Sequence, residues 1–211
     1  MPCIRDLFTL PPVSRSGDLA ADTAAFLAAR GKPRTAAHCR AVAETSRALA
    51  ARFGENEAIA ATAALLHDIS AVMPAQDMLR YAQACGWAID PAEAAHPFLL
   101  HQRVSADMAK LLFGVDDPAV LSAIACHTTL KANASAQDML LFLADKLSWD
   151  QEGLPPFYDA VFSALEDGLA QACLVYIRYV FDHGMILFPH RHFLEAKEWL
   201  QKTAPGMPEG G

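Results

Sequence analysis

The sequence predicts an all-α protein with a single domain. Its 211 residues, 53% of them apolar, suffice for one substantial core and are few for two. Alanine, the strongest helix former, is abundant, whereas runs of β-branched residues are few. Apolar residues recur every three or four positions between Gly and Pro breaks. We therefore expect one helical bundle over residues 16–203, between a flexible N-terminal arm (residues 1–15) and a disordered tail (residues 204–211).

The first half of the chain contains five helical segments. Asp, Asn or Pro stands at or just before their starts, and Gly follows three of their ends. The segments cover residues 18–30, 33–52, 56–70, 75–85 and a short stretch from residue 91. The third is dense in alanine on every side, which would let its backbone approach neighbouring helices closely.

Five further helices are predicted in the second half. They cover residues 99–113, 118–129, a segment from residue 135 through Asp145, and residues 158–182 and 190–202. Ser135 and Asp138 form a capping-box pattern at the start of the third. The fourth is expected to be one long helix with an irregularity at Gly168.

Charge and composition exclude several classes of protein. Seventeen basic and 24 acidic residues give a formal net charge of −7 with no basic block, so binding to a nucleic-acid backbone is disfavoured. No window of 18 uninterrupted apolar residues occurs, and no basic segment precedes an apolar one at the N-terminus. We therefore expect neither a membrane span nor a signal peptide. The five cysteines are odd in number and never spaced C-x-x-C, as is typical of reduced thiols in a cytoplasmic protein.

Six metal-capable side chains lie in or beside apolar helical segments. The clearest pair, His67 and Asp68, follows the apolar run Ala-Ala-Leu-Leu. Because a buried charge without a partner is very costly, these side chains require partners. We predict that six side chains converge on one or two cations: His38, His67, Asp68, His101, His127 and Asp145. The other four histidines lie beside Pro, Gly or polar segments and are expected to be surface or capping groups.

This ligand set indicates a class of chemistry. Imidazole nitrogens together with carboxylate oxygens suit iron, manganese, zinc or nickel. Four histidines and two aspartates suffice for two ions if Asp68 bridges them. We assign His38, His67, Asp68 and Asp145 to the first ion, and Asp68, His101 and His127 to the second. Two such ions would support in-line attack of water on a phosphoryl group, with His67 and Asp68 as the catalytic pair.

Three cationic side chains follow the predicted ligands closely in the sequence. Arg103 is two residues beyond His101, Lys131 is four beyond His127, and Lys146 adjoins Asp145. We expect Arg103, Lys131 and Lys146 to hold the non-reacting phosphates of a substrate, although a solvated Lys or Arg on a helix is the ordinary case.

In this order, the residues resemble the HD-domain superfamily of metal-dependent phosphohydrolases, and within it the YqeK-like branch. The resemblance covers residues 34–200. It rests on His38 with Val-Ala-Glu at 42–44, Ala-Leu-Leu-His-Asp-Ile at 64–69, Leu-Leu-His at 99–101, Ala-Ile at 123–124 with His-Thr-Thr at 127–129, Phe-Leu-Ala-Asp-Lys at 142–146, and Ile-Leu-Phe-Pro at 186–189. It implies a helical bundle of the HD type with a di-metal centre, commonly di-iron, built from the six residues named above. Characterised members of the branch cleave diadenosine tetraphosphate symmetrically into two ADP.

The chain departs from the family pattern at three loops. It lacks the Lys that often follows the His-Asp pair, has Gln102-Arg103 where Gly-Pro is common, and continues after Asp145 with Lys-Leu-Ser-Trp in place of a Glu-Pro-Asn-Arg type sequence. These loops would meet the nucleotide and its phosphates, which marks a divergent subgroup.

Three functions therefore stay open. The protein is a di-metal phosphohydrolase of a nucleotide phosphoanhydride such as diadenosine tetraphosphate, an HD-type phosphatase or phosphodiesterase for another small nucleotide, or a nucleotide- or metal-sensing module without turnover. Its expected partner is a small nucleotide, and the possibility of a homodimer is left open.

Overall fold

Helices account for all the regular structure that is described. A computed structural model describes residues 4–149, 151–186 and 188–204, and within these ranges it contains α- and 3-10 helices and no strand. The all-α prediction is thus confirmed. The helices are α1 (Ile4–Leu7), α2 (Leu19–Ala28), α3 (Pro33–Phe53), α4 (Glu57–Leu66), α5 (Ala75–Ala84), α6 (Pro91–Ala95), α7 (His101–Phe113), α8 (Pro118–Cys126), α9 (Ala136–Leu147), α10 (Tyr158–Ala164), α11 (Leu169–Asp182) and α12 (Arg191–Thr203), with 3-10 turns at Ile69–Val72 and Pro97–Leu100.

Most helix starts lie where capping residues predicted them. Asn56 accepts hydrogen bonds from the amides of Ala58 and Ile59 at 3.0 and 3.1 Å, and Ser135 and Asp138 form a capping box. Side-chain acceptors of this kind satisfy amides that have no partner within the helix. At the C-terminal end of α3, Gly54 (φ 70°) adopts the left-handed conformation that glycine favours.

The core lies between α3 and the helices that carry the second half of the ligand set. α3 packs on α4 and α9, and both of these helices pack on α8, which in turn packs on α7. Ala60, Ala63 and Ala64 of α4 are buried, so small side chains lie where this helix meets its neighbours. α2 covers α3 and α4, and α11 packs on α9, α10 and α12. This arrangement brings the predicted ligands to one end of the central helices.

Two predicted helices are shorter than expected. α4 ends at Leu66, not Ser70, and the Nδ1–H of His67 bonds to the carbonyl of Ala64 in the last turn of the helix. His67 and Asp68 therefore lie in a turn before the 3-10 segment. The predicted helix over 158–182 is divided into α10 and α11, and Gly168 between them has φ 113°, a conformation outside the helical range.

The ends of the chain are only partly described. Within the predicted arm, Ile4 is buried and the rings of Phe8 and Tyr81 lie 6.4 Å apart. The flexibility of the arm stays a prediction, and residues 1–3 and 205–211, which include most of the predicted tail, lie outside the described residues. In the described ranges no single helix is long and apolar enough to cross a membrane; residues 57–72 and 75–84 meet the criteria only as a pair bent by 102°.

Candidate metal centre

Three of the predicted histidines are oriented by the same type of backbone contact. The Nδ1 atoms of His67, His101 and His127 lie 2.7, 2.8 and 2.8 Å from the carbonyl oxygens of the residues three positions earlier. A carbonyl only accepts hydrogen bonds, so each Nδ1 carries a proton and donates it. In the neutral ring, Nε2 then holds a free lone pair. Such anchoring of the second nitrogen is typical of metal-binding histidines.

The two aspartates lie between these nitrogens. One carboxylate oxygen of Asp68 is 3.6 Å from Nε2 of His67, and the other is 3.6 Å from Nε2 of both His101 and His127. Oδ1 of Asp145 is 3.0 Å from Nε2 of His38 and 3.6 Å from Nε2 of His67. The structure thus brings all six predicted residues together. One group of mutually close donor atoms comes from His38, His67 and Asp145, and another comes from His67, Asp68 and His127.

Two nitrogen contacts in this cluster are not ordinary hydrogen bonds, although Nε2 of His38 lies 3.0 Å from Asp145 and Nε2 of His101 lies 3.0 Å from the hydroxyl of Thr128. Nε2 of His67 is buried without a hydrogen-bond partner, and Nε2 of His101 lies 3.0 Å from Nε2 of His127. Two lone pairs that face each other repel unless a cation or a proton lies between them. Donor atoms around one first-row metal ion are roughly 3.0–3.5 Å apart, given metal–ligand bonds of about 2.1 Å. The donor set and spacing therefore fit a metal centre.

The protonation states of the ligands agree with this fit. Burial disfavours charge on both aspartates, but His67 beside Asp68 and Lys146 beside Asp145 outweigh it and hold each carboxyl pKa below its usual range. Burial and the neighbouring His127 lower the pKa of His101 to about 4. Charged carboxylates and neutral imidazoles are the forms that bind metal ions.

The environment of His67 attracts positive charge. Burial disfavours a charged imidazole there, but the carboxylates of Asp68 and Asp145 outweigh burial and raise the pKa of His67. Without a metal ion, this position favours a proton.

A cavity of about 370 Å³ opens onto the cluster. Its walls include His38, Asp68, Asp145 and Lys146, together with the aromatic side chains of Trp149, Phe157 and Tyr176. Lys146 donates hydrogen bonds to Oδ2 of Asp145 at 2.6 Å and to the carbonyl of His127 at 3.1 Å. Because this ammonium group occupies Oδ2, only Oδ1 of Asp145 faces the histidines.

The structure places the other two predicted cations elsewhere. Arg103 donates to both carboxylate oxygens of buried Glu93 at 3.2 and 3.1 Å, and Lys131 lies 3.1 Å from Asp138. Neither lines the cavity beside the metal ligands. Arg103 is two positions after His101 on α7, so its side chain points about 200° around the helix from the ligand. Lys131 comes after the end of α8, where the chain has already left the helix that precedes His127.

Several supporting residues were not identified from the sequence. The buried hydroxyls of Ser70 and Ser105 lie 2.9 Å apart, and Ser70 Oγ donates to the carbonyl of His101. Gln102 accepts from the amides of Thr128 and Thr129, beside His127. The position of Gln102 next to His101 could have indicated a supporting role. Its partners could not be predicted, because they lie about 26 residues further along the chain.

Fold and site together define a class: an all-helical protein whose clustered histidines and aspartates, buried or partly buried, fit a metal centre. The family model described as "HD domain" matches residues 35–150. This match covers more than half of the chain, and the chain belongs to the HD-domain family, a family of hydrolases that bind divalent metals.

Comparisons with individual proteins agree. An uncharacterised protein in the pepC 5′ region of Lactococcus lactis subsp. cremoris is 38% identical over 139 residues, which is 66% of this chain and 71% of the relative. A crystal structure from Clostridium acetobutylicum, described as a predicted HD superfamily hydrolase involved in NAD metabolism, superposes with a TM-score of 0.76 at 26% identity. The match covers 89% of this chain and 98% of that one.

Two further relatives carry a functional name. A probable nicotinate-nucleotide adenylyltransferase/Ap4A hydrolase of Mycoplasma pneumoniae is 31% identical over 110 residues, or 52% of this chain. The counterpart in Mycoplasma genitalium is 27% identical over 149 residues, or 68% of this chain. The matched regions make up 31% and 41% of these two relatives, so the chain spans less than half of their length.

Proposed function

We propose that this protein is a di-metal phosphohydrolase that cleaves a nucleotide phosphoanhydride, with diadenosine tetraphosphate as the substrate and two ADP as the products. The observation that carries the proposal is the position of Asp68. One of its oxygens faces His67, while the other faces His101 and His127, as a carboxylate that bridges two ions requires. The names of the two Mycoplasma relatives support the choice of substrate.

The proposed centre divides the six ligands between two ions. His38, His67, Asp68 and Asp145 would hold the first, and Asp68, His101 and His127 the second. The nitrogen and oxygen donors suit iron, the metal we propose, as well as manganese, nickel or zinc. When bound, such ions activate water near neutral pH and neutralise charge on a phosphoryl group.

The residues of the chain contribute orientation and charge. The carbonyl contacts of His67, His101 and His127 keep their Nε2 atoms directed at the centre. Lys146 fixes Asp145, and the aromatic wall of the cavity excludes water from one side of the substrate. In the proposed reaction, one water molecule adds across the central P–O–P bridge, and each half leaves as ADP.

A second candidate is a phosphatase for a mononucleotide. The cavity of about 370 Å³ beside the ligands is near the lower end of the size range of ligand pockets, which favours a small substrate. We also propose a cytoplasmic location, which the free thiols of Cys39, Cys85, Cys126 and Cys173 support.

Metal analysis and a substrate panel test the proposal together. Protein purified without chelators should contain about two transition-metal ions per chain. Product chromatography of diadenosine tetraphosphate should show ADP alone; turnover of a mononucleotide instead would favour the second candidate. Because one solved relative is described as involved in NAD metabolism, NAD and nicotinate mononucleotide belong in the panel. Metal-loaded protein without turnover of any member would favour a sensing module.

Two ligand variants test the division of ions. Asp68→Ala should lose both ions and all activity, whereas His127→Ala should retain the first ion. His183→Ala is the matched control, because this histidine is exposed and stacks on Tyr179 outside the cluster. Equal loss of both ions in His127→Ala would contradict the assignment.

A further inference from the structure

A second cavity adjoins the one that opens onto the metal ligands. It measures about 290 Å³, and it shares four of its lining residues with the first: Arg34, His38, Ser148 and Trp149. The two cavities therefore meet along a boundary formed by the start of α3 and the segment that follows α9. This segment is one of those in which the sequence departs from the family pattern.

Trp149 is held in place at this boundary. Ser148, just before it, donates from its hydroxyl to the hydroxyl of Thr45 on α3 at 2.8 Å. The Trp149 ring packs perpendicular to the ring of Phe157, with 6.2 Å between the ring centroids. Trp149 is only half-buried and lines both cavities, so part of its ring surface is accessible from them.

Arg34 supplies an available positive charge at the same place. It lies one turn before His38 on α3, on the same side of the helix, and its side chain is exposed. Among the residues that the structure describes, it forms no ion pair, in contrast to Arg52, Arg103 and Lys146. A guanidinium group without a carboxylate partner, next to a phosphoryl-transfer centre, is suited to bind a phosphate.

We infer that this boundary is a nucleobase subsite, in which the base stacks on Trp149 and a phosphate between base and metal centre binds Arg34. The inference rests on the proposed function and names the residues that select a nucleotide over a simple phosphate. An aromatic ring recognises any base through its face, and such stacking typically changes affinity about tenfold or more per base when the ring is removed.

Two matched probes separate the base from the phosphates. α,β-Methylene-ADP carries both and resists cleavage between its phosphorus atoms, whereas methylenediphosphonate carries the same charged group without a base. Calorimetric titration of the manganese-loaded full chain gives a dissociation constant for each probe. Trp149→Leu should weaken α,β-methylene-ADP about tenfold and leave methylenediphosphonate unchanged, and Trp149→Phe should restore most of the lost affinity.

Arg34→Gln should weaken both probes about tenfold, because the phosphates are common to them. The control is Arg47→Gln: this arginine is exposed on the same helix and lines neither cavity. Equal affinity of the Trp149→Leu variant and the native chain for α,β-methylene-ADP would overturn the subsite, as would the lack of saturable binding of that probe to the native chain.

The subsite and the proposed function can fail separately. If the native chain cleaves diadenosine tetraphosphate but Trp149→Leu binds both probes normally, the function stands and the subsite is overturned. If no nucleotide is cleaved but Trp149→Leu weakens the binding of α,β-methylene-ADP alone, the subsite is supported and the hydrolytic function fails.

Discussion

Lys146 can orient the predicted metal ligand Asp145 without binding a metal ion itself. Its ammonium group lies 2.6 Å from Oδ2 of Asp145 and 3.1 Å from the carbonyl of His127, and it faces the ring of Phe142 at 5.1 Å. Burial disfavours its charge, but Asp145 outweighs this effect and raises the pKa of Lys146. The lysine is thus charged and already bonded to protein atoms, which favours a positioning role over phosphate binding.

We expect Lys146→Met to lower the affinity for the first metal ion about 10- to 100-fold, because the loss of a group that orients a ligand typically has this effect. Competition with a chromophoric chelator for zinc or manganese measures the affinity. If Lys146 instead binds substrate phosphate, the variant will bind metal normally and show only a higher KM. Tighter metal binding would indicate that the charge of Lys146 merely repels the ions.

Lys131→Met provides the comparison. Nζ of Lys131 lies 2.6 Å from Ser122 Oγ and 3.1 Å from the buried carboxylate of Asp138, away from the cavity. Its replacement should lower the free energy of unfolding and leave the metal content unchanged.

The types of the site residues could be predicted from the sequence, but their contacts could not. Histidine and aspartate in apolar helical segments indicated the ligands, since burial requires partners for such groups. The carbonyl partner of His67 was not predictable, because the direction of the ring depends on where α4 ends, and the sequence predicted that end four residues too late. Arg103 and Lys131 were chosen by proximity in sequence, which does not determine the direction of a side chain.

At the level of helices, one buried carboxylate joins three elements. Glu93 of α6 accepts from Arg103 of α7, lies 3.5 Å from Nε2 of His190 at the start of α12, and accepts from the amide of Asp90 at 2.9 Å. Burial disfavours its charge, but His190, the Asp90 amide and Arg103 outweigh this effect and lower the pKa of Glu93.

Glu93→Gln should therefore destabilise the protein in a pH-dependent manner. At pH 7 the expected loss is about 2 kcal/mol, between the values for exposed and fully buried ion pairs. Because the folded-state pKa lies below that of the unfolded chain, about 4.3, the contribution of Glu93 is complete above this value and disappears as the pH falls through the folded-state pKa. Urea unfolding of both proteins at pH 7, 5 and 3.5 measures the difference, and a difference that does not change with pH would refute this account.

Local signals predicted most helix boundaries because capping acts within a few residues. These signals did not predict the boundaries that depend on contacts between residues far apart in the sequence. The sequence predicts one helix where the structure has α10 and α11, because a single glycine in a helical pattern does not show whether the chain turns there. The packing of α11 on both α9 and α12 became visible only in the folded chain.

For the whole molecule, the proposed metal centre acts as a cross-link. Its ligands come from α3, the turn after α4, the start of α7, the residue after α8, and α9, which together surround the core. Each ion that binds only the folded chain stabilises it by about 4 kcal/mol when its free concentration is 1,000 times the dissociation constant, so two ions contribute about 8 kcal/mol. For a chain of this size, each kcal/mol shifts the melting temperature by about 2–4 °C.

Removal of both ions should accordingly lower the melting temperature of the whole domain by roughly 20 °C, in a single transition, and the return of manganese, iron or zinc should restore it. Scanning calorimetry before and after chelation measures the shift. Asp68→Ala should melt at one temperature with or without metal, because it lacks the shared ligand, whereas His183→Ala should shift as the native chain does. If Asp68→Ala responds to metal like the native protein, the ions bind elsewhere on the chain and the centre proposed from these six side chains is refuted.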